Sequence, residues 1–333
     1  MRHVLVPAAI DPAPPPAGSV PMDAAGTTMG TAWSARLMVP PGVRSRLDEQ
    51  MGRELDGIVA EMSHWEPDSI LGRYNRAPAG SWHALPPRFR EVMEYALEVA
   101  GQSGGAYDPF AGALVNLWGF GPTGRHDEPG FGAPAPDAVQ AVLAQRAGQR
   151  ALFDRAGGRL LQPGGVQLDL SSIAKGYAVD RLAWCLEQHG VRHYLVEIGG
   201  ELRGAGMKAD GQPWWVELES APGHGLVPTV AALHGLAIAT SGDYRRYFTL
   251  GDIHASHTID PRTGAPIAND IASCAVLHPN CMAADALSTA ITVLGRDAGL
   301  AFAEERGLAA RLLLRRGKRL EELTTSAYRS LLQ

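Results

Sequence analysis

The sequence predicts an α+β fold: one large mixed domain with a strand-rich second half and helices packed on the sheet. Three observations lead there. Strand and helix patterns are mixed without the βαβ rhythm of a doubly wound parallel sheet. The second half carries seven strand-like segments, at 193–198, 213–219, 229–233, 236–240, 244–249, 271–277 and 310–315, interrupted by one clear helix. Glycine-rich turns spread from 26 to 295, so the 333 residues read as one large domain rather than two ordinary ones.

Element by element, residues 1–25 form a Pro/Ala-rich lead-in, expected to be flexible, and the domain is expected to run from 26 to 333. Thr31 to Val39 alternates as a strand does, and 43–62 has the apolar spacing of a helix. Pro86-Pro87 opens an amphipathic helix over 88–100, with Val92, Tyr95, Ala96 and Val99 on one face. Residues 104–122 are dense in Gly, Pro and aromatics, and 123–136 reads as an exposed loop. A short helix at 137–147 precedes strands at 151–153, 159–162 and 166–170. A helix over 172–189 closes at Gly190, with Ser171 or Ser172 able to cap its start, and a second strong helix runs from Cys281 to Leu294 before Gly295.

Composition removes several classes. Hydrophobic residues make up 45% and charged residues 20%, which excludes a disordered chain. Thirty Lys and Arg against 35 Asp and Glu leave a net charge of −5, the wrong sign for a nucleic-acid binder. Three cysteines without C-x-x-C spacing give neither a disulfide framework nor a zinc site. No stretch is long and apolar enough for a transmembrane segment, and the start lacks an uninterrupted signal-like run. The expected location is therefore cytoplasmic, or periplasmic or membrane-attached if the true start lies upstream.

The motifs that remain are short. Residues 168–180, LDLSSIAKGYAVD, bring Asp169 to a strand end and Lys175 to a helix start, where free N–H groups and a positive charge suit a phosphate. The same residues also fit a capped structural helix with a solvated Lys. They also spell S-x-x-K, Ser172-Ile173-Ala174-Lys175, the nucleophile pattern of penicillin-binding acyl enzymes, but no S-D-N follows. In ADALSTAITVLG, Asp285, Ser288 and Thr289 share one helical face. One carboxylate with hydroxyl oxygens suits a hard cation such as Mg²⁺, although an ordinary helix start uses the same residues. Lone His257 stands before a Thr-Ile-Asp-Pro turn.

Taken in order, GTTMGT, MSHWEPDSILGRYN, GGAYDPFAGALVNLWGFGP, LDLSSIAKGYAVD, YLVEIGGELRGAG, ATSGDYRRYF, SHTIDPRTGAPI and ADALSTAITVLG resemble the FAD:protein FMN transferase family, the ApbE-like flavin transferases. The resemblance covers 26–333 and implies the fold of that family. It implies FAD contacts at Met29, Trp65, Ala106, Tyr107, Asp108, Asp169, Lys175 and Ile259. It implies metal ligation by Ser172, through its carbonyl, and by Asp285, Ser288 and Thr289. Trp65 keeps a stacking face where relatives often have Tyr, and Ser288 removes a charge where others have Asp.

The implied reaction is Mg²⁺-dependent phosphoryl transfer. A Thr or Ser hydroxyl of an acceptor flavoprotein, a redox-complex subunit or a related protein, attacks the FMN-side phosphorus of FAD, and AMP leaves. Asp285 and His257 are the expected catalytic residues, His257 as the base that takes the hydroxyl proton. Two alternatives stand beside this one. A Mg²⁺-dependent FAD pyrophosphatase would use water in place of the acceptor, and a non-catalytic flavin-binding protein would keep the pocket without needing Asp285 and Thr289.

Overall fold

The computed structural model describes residues 2–43, 46–146, 152–219, 226–244, 246–251, 253–317 and 319–333. Positions 44, 45, 147, 151 and 245, assigned above to helix or strand segments, lie outside them. At the centre is an eight-stranded sheet. Its spatial order is Arg319–Thr324, Ala309–Arg316, Ile271–His278, Leu236–Gly242, Glu201–Ala205, Tyr194–Ile198, Thr31–Val39 and Val20–Thr28. Every neighbouring pair is antiparallel, so the α+β class holds.

Strand periodicity explains why this sheet needs a layer on each face. Successive side chains point to opposite sides. Trp33, Ala35, Leu37 and Val39 enter the main core, as do Tyr194, Val196 and Ile198, whereas Met38, Ile238 and Leu277 enter a second core on the other face. The main core is closed by the helices Leu47–Met62, Pro87–Gln102, Ala174–Gln188 and Cys281–Leu294. The second is closed by a small sheet of His3–Leu5, Thr229–Leu233 and Trp214–Glu217, with Tyr328 from the last helix. Ile271–His278 is buried over seven of its eight residues because it is covered from both sides.

Two expectations need correction at the N-terminus and one at 166–170. Leu5 is 1% exposed, in a strand parallel to Thr229–Leu233, so the lead-in contributes to the second core. The boundary expected at residue 26 falls inside Val20–Thr28. That strand tolerates Pro21 because it is the last in the sheet, where no further neighbour needs its missing N–H. Residues 166–170 form no strand. The Asn75 side chain bonds both the N–H and the carbonyl of Leu168, at 2.8 and 2.9 Å, while Asp169 N–H goes to Pro109 O, which satisfies this backbone without a sheet.

The helices Ala174–Gln188 and Cys281–Leu294 set the chemistry, and they meet at Gly176. A Cβ there would lie 2.4 Å from the Cys281 carbonyl oxygen and 2.8 Å from Asp285 Cβ. Asp180, one turn further on, fixes the contact by accepting the Cys281 and Met282 N–H groups at 3.0 and 2.9 Å. Gly176→Ala must therefore displace backbone, not a side-chain tip. It is expected to destabilise the protein by about 1–3 kcal/mol, read as a lower urea midpoint with unchanged slope. An unchanged midpoint would mean that the helices part freely.

Candidate active site

A cavity of about 440 Å³ opens where these two helices, the end of Leu236–Gly242 and the Met29 turn converge. Of the residues singled out above, Met29, Trp65, Ala106, Tyr107, Asp108 and Asp169 line it. So do Ser172, Lys175, His257, Ile259, Asp285 and Thr289. Ser288 does not: it is fully buried behind the wall.

Met29 reaches the cavity from a two-residue hairpin turn. Thr28 pairs with Thr31, and Met29 and Gly30 both have positive φ, 50° and 72°. That geometry matches the twist of the flanking strands. Gly30 adopts it without cost, while Met29 holds a conformation that side chains disfavour. Trp65 stands at the rim, 43% exposed, with Arg125 5.8 Å over its ring. It offers a flat face to an aromatic ligand.

The ion-binding chemistry lies in a chain of oxygen atoms. Asp285 Oδ2 accepts the Gly176 N–H at 2.9 Å. That N–H would otherwise close on the Ser172 carbonyl, which receives no backbone N–H among the described residues. Ser288 donates to the Asp285 carbonyl at 2.9 Å, so Ser241, 2.8 Å away, must donate to Ser288, and Thr289, 3.0 Å from Ser241, must donate to Ser241. Thr289 therefore presents only lone pairs to the cavity. A carboxylate, a freed carbonyl and an acceptor-only hydroxyl make an all-oxygen donor set that fits Mg²⁺, which takes few protein oxygens and keeps its waters. Among the described residues no three His, Cys, Asp or Glu side chains converge as a metal group. Ser288, expected as a ligand, is placed instead behind the wall: it is fully buried, off the cavity lining, and links the Asp285 carbonyl to Ser241.

Lys175 lines the cavity and is not the solvated Lys of the alternative reading. Its Nζ is paired with Glu201, a carboxylate whose side chain is 4% exposed. Burial disfavours the Lys175 charge, but Glu201 and then Asp285 outweigh it and raise its pKa. Burial pushes the Glu201 and Asp285 carboxyls up, and Lys175 offsets only part of this. Neither Ser171 nor Ser172 caps the helix: its N-cap is Ile173 and no side chain bonds there. Asp169 Oδ1 bonds Ser171 N–H at 2.8 Å and shapes the turn instead. The Ala174 and Gly176 N–H groups are already committed, to Leu170 O and Asp285, so this helix start is a poorer anion cradle than expected.

His257 directly follows the strand Ile253–Ser256 of a hairpin and is half-buried. Its Nδ1 lies 3.0 Å from Arg246 O; a carbonyl only accepts, so Nδ1 carries the hydrogen and Nε2 keeps its lone pair. Burial, helped by the Arg246 charge, lowers the imidazole to about 4. Asp108 is held by Arg146, which also donates to Pro261 O at 2.8 Å, tying the 104–122 segment to the loop after Ile259. Tyr107 is 2% exposed, and burial pushes its phenol far up, so it stays protonated. Burial works to raise the Asp169 carboxyl, but the charge and hydrogen bond of His64, 3.1 Å away, hold it below the usual carboxylate range.

Among the cavity residues not singled out in advance are His64, Glu201, Ser241 and Arg246. Glu201 and Ser241 lie inside quoted segments, but their roles arise from partners 26 and 47 residues away, which no local pattern announces.

The chain resembles known proteins over most of its length. The model of the ApbE family matches residues 29–312. A FAD:protein FMN transferase of Vibrio cholerae is 35% identical over 92% of this chain and 91% of its own length. Its counterpart in Escherichia coli K12 is 32% identical over 92% and 88%. Among solved structures, the flavinyl transferase ApbE of Pseudomonas stutzeri, apo form, superposes with a TM-score of 0.82 at 34% identity, covering 94% of this chain and 97% of that one. The flavin transferase ApbE of Vibrio cholerae gives 0.83 at 32%, covering 94% and 100%. With the matching segments gathered around one cavity and the family model spanning most of its length, the chain belongs to the ApbE family.

Proposed function

We propose that this protein is a FAD:protein FMN transferase that moves the FMN moiety of FAD to a Thr or Ser hydroxyl of an acceptor flavoprotein and releases AMP. One observation carries the reading: a single cavity is lined by stacking and apolar groups (Trp65, Met29) and by an all-oxygen set with an adjacent cation (Asp285, Thr289, the Ser172 carbonyl, Lys175). Flat rings and a pyrophosphate are the two chemistries that FAD combines.

In the transfer, the acceptor oxygen forms a bond to the FMN-side phosphorus, the bond from that phosphorus to the bridging oxygen breaks, and AMP departs with that oxygen. His257 Nε2 accepts the hydroxyl proton, because its Nδ1 is held on Arg246 O and its ring is neutral near pH 7. Asp285, Thr289 and the Ser172 carbonyl would hold Mg²⁺, which when bound offsets pyrophosphate charge. Glu201 restrains Lys175 beside them. Met29 and Trp65 hold a ring by contact and stacking.

Incubation with FAD, Mg²⁺ and candidate acceptors should yield AMP and an acceptor heavier by one FMN in mass spectrometry. AMP with free FMN and no acceptor would instead indicate the pyrophosphatase. Intact FAD with every acceptor would overturn both. Trp65→Ala should weaken FAD binding about tenfold by removing the stacking face, measured by flavin fluorescence; unchanged affinity would leave Trp65 as a bystander.

A further inference from the structure

The cavity wall holds a buried imidazole with one nitrogen engaged and the other without a partner among the described residues. His64 lies two residues beyond the Leu47–Met62 helix and lines the cavity with Met62 and Trp65. Its side chain is 8% exposed. Nδ1 stands 3.1 Å from Asp169 Oδ1, and a carboxylate only accepts, so Nδ1 carries a hydrogen. Nε2 has no hydrogen-bond partner among the described residues. Buried polar atoms in native proteins are nearly always paired, and one left alone bears its full desolvation penalty unless a ligand relieves it.

The surroundings define that ligand. The charged groups facing His64 are Asp169, from the turn before the Ala174–Gln188 helix, and Arg246, from the segment before the hairpin. Asp169 holds the ring and favours its protonated form, in which Nε2 is a donor. The Trp65 ring lies 5.4 Å away, tilted by 36°. A flat ring seated against Trp65 would bring its edge within reach of this wall, where a ring nitrogen or carbonyl oxygen can accept.

We propose that His64 is a binding residue for FAD: its Nε2–H donates to a ring nitrogen or carbonyl oxygen of one heteroaromatic half of the dinucleotide, while Asp169 fixes the imidazole through Nδ1. This rests on the flavin reading above and extends it to a residue outside the family positions listed earlier. Adenine and isoalloxazine share this acceptor chemistry, and separate halves of FAD tell them apart.

The test is a titration of the unaltered protein, His64→Phe and His64→Gln with FAD, ADP and FMN, between pH about 5.5 and about 8.5. His64→Phe keeps the ring shape and should bind FAD about tenfold more weakly at the acid end. His64→Gln, which retains a neutral N–H, should recover most of that. The loss should fall on ADP or on FMN but not on both, which identifies the half that His64 meets. Against Phe, the advantage of the unaltered protein should shrink as pH rises through the His64 pKa, which lies above 6.5. Above it, the neutral ring keeps Nδ1–H on Asp169 and turns Nε2 into an acceptor. The proposal is overturned if Phe binds FAD as the unaltered protein does, or if Phe and Gln weaken both halves equally, as loss of mere support for Asp169 would. Should Phe not fold, the His64 ¹⁵Nε2 resonance of the unaltered protein must move on adding FAD; an unmoved signal overturns the proposal. Failure of the unaltered protein to bind FAD at all would overturn the flavin reading first.

Discussion

Asp285→Ala is expected to lower Mg²⁺-dependent AMP release by about a thousandfold, the several kcal/mol that a bound cation contributes to phosphate chemistry. Asp285 is the sole carboxylate in the proposed donor set, and neither Thr289 nor the Ser172 carbonyl can replace its charge. The substitution also strips an acceptor from Gly176 N–H, so Asp285→Asn is the sharper variant. Asn keeps an oxygen for that N–H and loses only the charge. Both variants should be nearly inactive, with FAD binding reduced far less. Stability should separate from activity: burial raises the Asp285 pKa, so its contribution favours the fold at low pH and turns against it as pH rises through that value. At neutral pH, Asp285→Asn should therefore melt no lower than the unaltered protein. Near-normal Mg²⁺-dependent AMP release from Asp285→Asn would show that the carboxylate is only structural.

His257→Gln should reduce transfer to the acceptor by about a hundredfold. The pH profile distinguishes a base from a bystander. Because burial and Arg246 lower His257 to about 4, the base form persists far below the ordinary histidine range, and the acid limb of kcat should fall near pH 4 rather than 6.5. The stability sign follows from the same shift. An unfolded His257 takes up a proton near 6.5 while the folded one resists until about 4, so its contribution is complete above 6.5 and is lost as pH falls through that window. His193 and His278 are lowered in the same direction, so the informative quantity is the difference between unaltered protein and His257→Gln. An acid limb that stays in place after substitution would remove His257 from the proton path.

What was legible in the sequence depended on where an element's partners lie. Thr31–Val39 and Cys281–Leu294 could be read to the residue, because each buries a full apolar face and the helix is bounded by Asn280 and Gly295. The two edge strands were not legible. Val20–Thr28 and Arg319–Thr324 contain no fully buried residue, and an edge strand needs backbone pairing on one side only. Residues 166–170 read as a strand because apolar residues alternate there, yet an asparagine side chain more than ninety residues earlier in the chain takes both backbone hydrogen bonds of Leu168. At the site, twelve of the thirteen residues named in advance meet at the cavity, since motif segments carry them. Ser288 failed by rotation: Asp285 and Ser288 lie three residues apart, and the cavity takes the first and Thr289 but not the residue between. The Lys175–Glu201 and His64–Asp169 pairs join segments distant in sequence, and nothing local encodes a charge's partner.

The glycine contact between the two helices also sets an order in time. Gly176 and Asp285 are 109 residues apart, and the hydrogen bond between them exists only when the second helix has docked against the first with no side chain between. During synthesis, Met29, Trp65, Tyr107, Asp169 and Lys175 leave the ribosome well before Asp285 does. The helix that carries Asp285 also closes the main core and walls the cavity, so the pocket itself awaits the same docking step. On the reading proposed above, the donor set of Asp285, Thr289 and the Ser172 carbonyl is therefore complete only after the second helix has been made and has docked on the first.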